Sequence, residues 1–347
     1  MKHLFLFLGT ILCAGCSSTG YYWQAINGHA ELLNSERPIA EVLADKSTPP
    51  VVKQKLQLAQ SIRRYASKEL HLPDNNSYTQ YADLHRPYAL WNVVATPKYS
   101  IQAKQWCFLF AGCISYRGYY DKREAEAYAG ALRQQGYDVM ISGARAYSTL
   151  GWFDDPLLNT MLYNDDARLA GIIFHELAHQ QVYKKGFSSF NEAFATTVEV
   201  EGVFKWLASR NNLVAIKKYT KEFDHQLQFN QLLRATREKL KQLYAKNISE
   251  KQKAANKQRL FAGLKKNYQS LKHQWGGDGS YDAWMAQDLN NAHLALVATY
   301  YDDVPYFRGL LKADNGDFSR FYQGVAAMTV EQIKALGRAN TKLALRQ

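Results

Sequence analysis

The chain has 347 residues, of which 47% are apolar and 21% charged. This balance supports a large buried core and excludes a disordered or low-complexity protein. The formal net charge of +12 suits an anionic surface such as a membrane or envelope polymer, whereas no nucleic-acid recognition motif is present.

Residues 1–16 read as a bacterial lipoprotein signal. Lys2 supplies the positive start, and the apolar stretch from Leu4 to Leu12 is too short to span a bilayer. Ala14-Gly15-Cys16 resembles a lipobox, with Cys13 where an aliphatic residue is usual; an ordinary cleaved secretory signal is the alternative. The expectation is lipidation at Cys16, which anchors the chain to a membrane without spanning it. Ser17 points to the outer membrane, so residues 17–347 are expected to face the periplasm of a Gram-negative cell envelope.

The expected domain organisation is one domain over 17–347. It divides into sheet and site helices at about 85–210, a helical arm at 214–275 and terminal helices at 281–347. Residues 21–35 and 39–70 are predicted helical, interrupted near Pro49-Pro50, and 73–77 form a loop. Strands are predicted at 89–95 and 99–108. Cys107 and Cys113 would remain after export, in a compartment that permits disulfides. Their separation of six residues suits closure of a small loop, two buried thiols being the alternative.

Residues 114–119, 122–135 and 137–147 read as strand, helix and strand, with Gly136 stopping the helix. The last strand runs into Ser148-Thr149-Leu150-Gly151-Trp152. As an edge strand it can pair with the backbone of an extended substrate, which makes Gly151 a substrate-binding candidate; a turn and packing segment is the alternative. Residues 214–273 carry apolar residues at helical spacing (Leu227, Leu232, Leu233, Leu240, Leu243) and predict two long helices. The basic excess concentrates there, as expected of a solvated helical face. A break at Trp275–Gly279 precedes a helix over 281–301, a loop over 302–305 and terminal helices.

The most specific signal is His175-Glu176-Leu177-Ala178-His179, which follows the apolar run 169–174. On a helix, positions i and i+4 share a face, so His175 and His179 can grip one metal ion. Glu176 then lies at the edge of the site, placed to take a proton from water. Such sites usually take a third protein ligand. The motif helix is expected to end near Lys184-Lys185-Gly186, and a second helix to begin near Ser188-Ser189. In an antiparallel hairpin His179 and Glu192 are each six residues from the turn, about 9 Å along either arm, so Glu192 comes level as the third ligand. The alternative is that Glu192 closes a capping box with Ser189. Glu199, about 10 Å further on, is expected to contact substrate or to support the ligands from behind, and Glu201 to face elsewhere.

Taken together, HELAHQ at 175–180, FNEAFATTVE at 190–199, AYSTLGWFDDP at 146–156, CFLFAGCISYRGYY at 107–120 and LNNAHLALVATYYDDVP at 289–305 resemble gluzincin-type metallopeptidases. More narrowly, they resemble the predicted-aminopeptidase family of proteobacterial lipoproteins. The gap between the second histidine and the glutamate is shorter than in thermolysin-like gluzincins. The resemblance implies an α+β, mostly helical fold: a zincin-like core with a small β-sheet and a long helical C-terminal part. It implies one zinc ion per chain, peptide substrates, and Tyr300 (with Tyr301 as its neighbour) opposite the metal to steady the oxyanion. Asn291, beside Asn290, is a candidate for substrate backbone or amine, a capping or buried-network role being the alternative. His293 is expected to be structural.

Three readings follow: a membrane-anchored aminopeptidase, an envelope endopeptidase, or a lipoprotein scaffold with a structural metal. The presence of Glu176 disfavours the last, since a structural zinc site has no use for a general base.

Overall fold

Proline and glycine set the first element boundaries. A computed structural model describes residues 20–108, 112–146, 154–295 and 303–336. Helix α1 (20–34) leads through strand β1 (Glu36–Pro38) into α2 (Ile39–Ala44) and α3 (Pro50–Glu69). Pro50 opens α3 at a position where its missing N–H has no helical partner to lose, so the predicted interruption is present. After β2 (Gln80–Ala82) come β3 (Leu90–Pro97), β4 (Trp106–Phe108), β5 (Gly112–Ile114) and β6 (Arg117–Tyr119). Helix α4 (Lys122–Gln134) is capped by Asp121, stops at Gly136 with φ +83°, and is followed by β7 (Tyr137–Ala144).

The expected single small sheet is divided into three: β1-β2-β8, β6-β3-β7 and the hairpin β4-β5, with β8 at Leu157–Leu158. Alternation along β3 explains how the central sheet is covered on both faces. Trp91, Val93 and Ala95 pack with Ala125, Ala129 and Leu132 of α4, while Val94 packs with Ala292 and Ala295 on the other side. Cys107 and Cys113 are directly opposed in the β4–β5 hairpin and joined by a disulfide, as expected.

Two predicted strands are corrected. Residues 99–105 are irregular, held by Lys104 N donating to Ala95 O (2.7 Å) and by burial of Ile101 against the helical arm. The stretch 114–119 is split between β5 and β6, which belong to different sheets.

The site helices come next: α5 (Asn159–Leu162), α6 (Asp166–Gln181) and α7 (Ser188–Ser209). With α3 and the helices Val304–Ala313 and Phe318–Ala327 they enclose the main core, which includes Leu56, Ile62, Phe174, Phe194, Phe307 and Phe321. Helices α8 (Leu213–Ala245) and α9 (Glu250–Gln274) form the arm, with a core of its own around Phe229, Leu240, Leu264 and Tyr268. The predicted helix at 281–301 is interrupted within its described part, 281–295. It comprises α10 (Asp282–Met285) and α11 (Asn291–Ala295), separated where Asn290 Oδ1 caps the Ala292 N–H. The expected loop at 302–305 already contains Val304 and Pro305 at the start of a helix. The fold is α+β and mostly helical. Among the described residues no helix is long and apolar enough to cross a membrane.

Candidate active site

Helix α6 is capped by Asp165, whose side chain accepts from Arg168 N (2.8 Å), and ends at Gln181, a few residues earlier than expected. The turn to α7 passes through Gly186 at φ +85°, a conformation open to glycine. Asn191, almost fully buried, fastens this turn: Lys184 N donates to its Oδ1 (2.8 Å) and its Nδ2 donates to Lys184 O (2.9 Å). That clamp fixes α7 against α6 one residue before Glu192. No side chain caps the start of α7, so the capping-box alternative for Glu192 is not realised.

The result is the level pairing that the hairpin spacing predicted. Glu192 Oε2 lies 3.4 Å from His175 Nε2 and 3.7 Å from His179 Nε2. One donor atom from each of the three residues falls within 4.8 Å of the others. Ligand bonds of about 2.0–2.2 Å to a tetrahedral ion place donors about 3.4 Å apart, so the donor set fits a divalent ion. Two imidazoles and a carboxylate suit zinc.

Glu199 stands behind this trio. Its Oε2 is 3.0 Å from His175 Nδ1, which turns Nε2 toward Glu192. This is the support a metal-ligating histidine characteristically receives. Of the two roles expected for Glu199, the structure shows the supporting one: it holds the His175 ring. His179 Nδ1 has no such partner among the described residues.

The electrostatics follow from burial among charges. Burial alone would lower the His175 pKa, but the Glu192 and Glu199 carboxylates outweigh it and hold it well above its usual range. Burial would raise Glu192, yet hydrogen bonds from both imidazoles bring it down to about 2. Glu176 is pushed up, chiefly by burial; the two imidazoles oppose this, and the Glu192 and Asp155 charges reinforce it. A carboxyl whose pKa is raised holds a proton more readily, which suits a group that carries one. Tyr116, in the connector between β5 and β6, is pushed up to about 12 by burial and by the Glu192 and Glu176 carboxylates.

The other expected site residues separate. Asn291 is 0% exposed and belongs to a tertiary network: it donates to Lys98 O (3.0 Å) and accepts from Tyr244 Oη (2.7 Å). With no exposed atom to offer a ligand, its substrate-binding assignment is corrected to the buried-network role. His293 is buried and its imidazole is lowered to about 4 by burial, in keeping with a structural residue. Glu201 pairs with Arg308, away from the trio. Tyr300, Gly151 and Cys16 lie outside the described residues.

Sequence reasoning missed two residues that build the site. One is Asn191, which the sequence shows only as a member of the stretch FNEAFATTVE. The other is Gly171, one helical turn before His175: a Cβ there would sit 3.1 Å from Glu199 Cγ. A glycine inside an otherwise strong helix was its available signal.

No curated protein and no solved structure matches the chain. A family model described as "Putative aminopeptidase" matches residues 20–339 and so spans α6, α7 and nearly everything else described, and the chain belongs to that aminopeptidase-like family.

Proposed function

We propose that the protein is a zinc-dependent peptidase with a zincin-like core that removes residues from the N-termini of peptides. The observation that carries this reading is the convergence of His175, His179 and Glu192, with the half-buried Glu176 next to His175 on α6. His175, His179 and Glu192 hold the ion. When bound, it supplies positive charge that polarises a carbonyl and acidifies water. Glu199 fixes the His175 ring so that Nε2 faces the site. Glu176 accepts a proton from the attacking water and returns it to the leaving amine. Its elevated pKa lets it hold that proton between the two events. Tyr300 keeps its proposed place as donor to the developing oxyanion.

The family description supports removal of N-terminal residues; an envelope endopeptidase would use the same trio. Lipid attachment at Cys16 and a periplasm-facing, outer-membrane location belong to the proposal, on the strength of residues 1–17 and the Cys107–Cys113 disulfide.

Metal analysis of the purified protein is expected to find one zinc per chain. Glu176→Gln is expected to retain the ion while turnover falls by about 100-fold or more. A zinc-loaded Gln variant that still hydrolyses peptides would remove Glu176 from its role. Paired free and N-acetylated peptides decide the exopeptidase claim, because hydrolysis of the acetylated member is incompatible with it.

A further inference from the structure

The loop at 74–79 is fastened to the metal helix at one point. Asn75 Nδ2 donates to Gln180 Oε1 (2.7 Å), and Gln180 Nε2 donates to Ser77 Oγ (3.2 Å). Gln180 is four residues beyond Glu176, so the two share a face of α6 and the loop lies along the side on which Glu176 sits. Arg63, itself buried, holds the same loop from below through the carbonyls of Ser77 (3.1 Å) and Asn75 (2.8 Å). Tyr78 N donates to Asp155 O (2.7 Å), closing the loop onto the segment before β8.

These contacts enforce two costly features in one residue. Tyr78 has φ +65°, a left-handed conformation that a bulky side chain rarely adopts. Its side chain is 1% exposed, and its hydroxyl has no hydrogen-bond partner among the described residues. A fold in which only packing mattered would place phenylalanine here, since a buried hydroxyl without a partner is destabilising. Strained backbone and an unsatisfied polar group in one residue, on a loop fastened to the face of α6 that carries Glu176, are the marks of a functional position.

We infer that Tyr78 is a positioning residue for Glu176, its hydroxyl donating to the Glu176 carboxylate when that group takes up its working orientation. Burial, reinforced by the Glu176 and Asp155 charges, keeps the phenol protonated and therefore a donor throughout the working range. Loss of this donor leaves the ion and the substrate contacts in place and removes only the constraint on the proton carrier.

The inference rests on Glu176 being that carrier, and the test uses the full-length zinc-loaded protein with Tyr78→Phe. Because the hydroxyl makes no bond to a described residue, the thermal midpoint is expected to hold or rise. The kcat is expected to fall by about 10-fold or more with KM changed by less than about twofold, the pattern of a group acting only in the reaction step. A second readout is independent of turnover. The infrared carboxyl band of Glu176, assigned by its loss in Glu176→Gln, should shift in Tyr78→Phe. An unshifted band with wild-type kcat overturns the inference. If the wild-type protein cleaves no peptide, the peptidase reading fails by itself, and the band alone decides whether Tyr78 engages Glu176.

Discussion

Gly171 shows how one missing methyl group can matter to the proposed metal site. It lies one turn before His175 on α6, and an added Cβ would stand 3.1 Å from Cγ and 3.2 Å from Oε1 of Glu199. Helix propensity and site geometry therefore pull in opposite directions. Alanine in a helix interior is favoured over glycine by about 0.5–1 kcal/mol, so Gly171→Ala is expected to leave the metal-free protein as stable as wild type or slightly more so. It should also displace Glu199 by a few tenths of an ångström from His175 Nδ1. Loss of such support typically weakens metal binding by about 10–100-fold, and the lower end is expected here because the carboxylate is moved rather than removed. Competition against a chromogenic chelator measures the affinity, and a melting curve of the metal-free protein measures the stability. Unchanged affinity would mean that Glu199 accommodates the methyl group and that Gly171 serves packing alone.

At the scale of elements, the pairing of α6 with α7 brings two carboxylates to opposite nitrogens of one imidazole: Glu192 to Nε2 and Glu199 to Nδ1 of His175. The Glu192 and Glu199 carboxylates raise the His175 pKa above its ordinary range, which favours a protonated ring in the metal-free site. A bound ion needs the neutral ring and must displace that proton. Zinc binding near neutral pH is thus expected to release about one proton per ion. The affinity should rise about tenfold per pH unit until the raised His175 pKa is passed. Calorimetry in buffers of differing ionisation enthalpy reads the proton count directly, and a binding enthalpy independent of buffer would contradict it.

The same helix pair marks the boundary of what the sequence reveals. A helix advances a fixed 1.5 Å per residue, so counting outward from Gly186 was enough to bring Glu192 level with the histidines. Glu199 also falls on the right face, but whether it meets substrate or His175 depends on the space left by Gly171, which is a property of two helices together. The short strands were the least legible. β4, β5 and β6 have three residues each, too few for alternation to fix a partner, and their sheet membership is set by tertiary neighbours. Asn291 was ambiguous for a similar reason: its partners Lys98 and Tyr244 are distant in sequence.

The whole molecule has a main core that contains the site helices and a separate core in the arm. Helix α8 joins them: Ile216 and Tyr219 pack against the main core, whereas Phe229, Leu233 and Leu240 pack with α9. At its base Lys218 reaches Asp165 (2.8 Å), the cap of α6; further out the arm is tied to the central sheet by Lys257 with Asp138 and to α11 by the Tyr244–Asn291 hydrogen bond. The Lys218–Asp165 pair is solvent-exposed and worth little by itself, so the arm influences α6 mainly by holding α8 in place. Truncation in the arm core is therefore expected to separate stability from binding. Leu240 is 0% exposed, and Leu240→Ala should cost about 2–4 kcal/mol through lost burial and the cavity left behind. Zinc affinity at a temperature where the variant remains folded should stay within about twofold of wild type, because none of the three donors, nor Glu199, belongs to the arm. A melting curve and a chelator competition on the same preparation test both halves. A tenfold loss of affinity alongside the lowered midpoint would show that the two cores act as one cooperative unit and that α8 transmits strain from the arm to the start of α6.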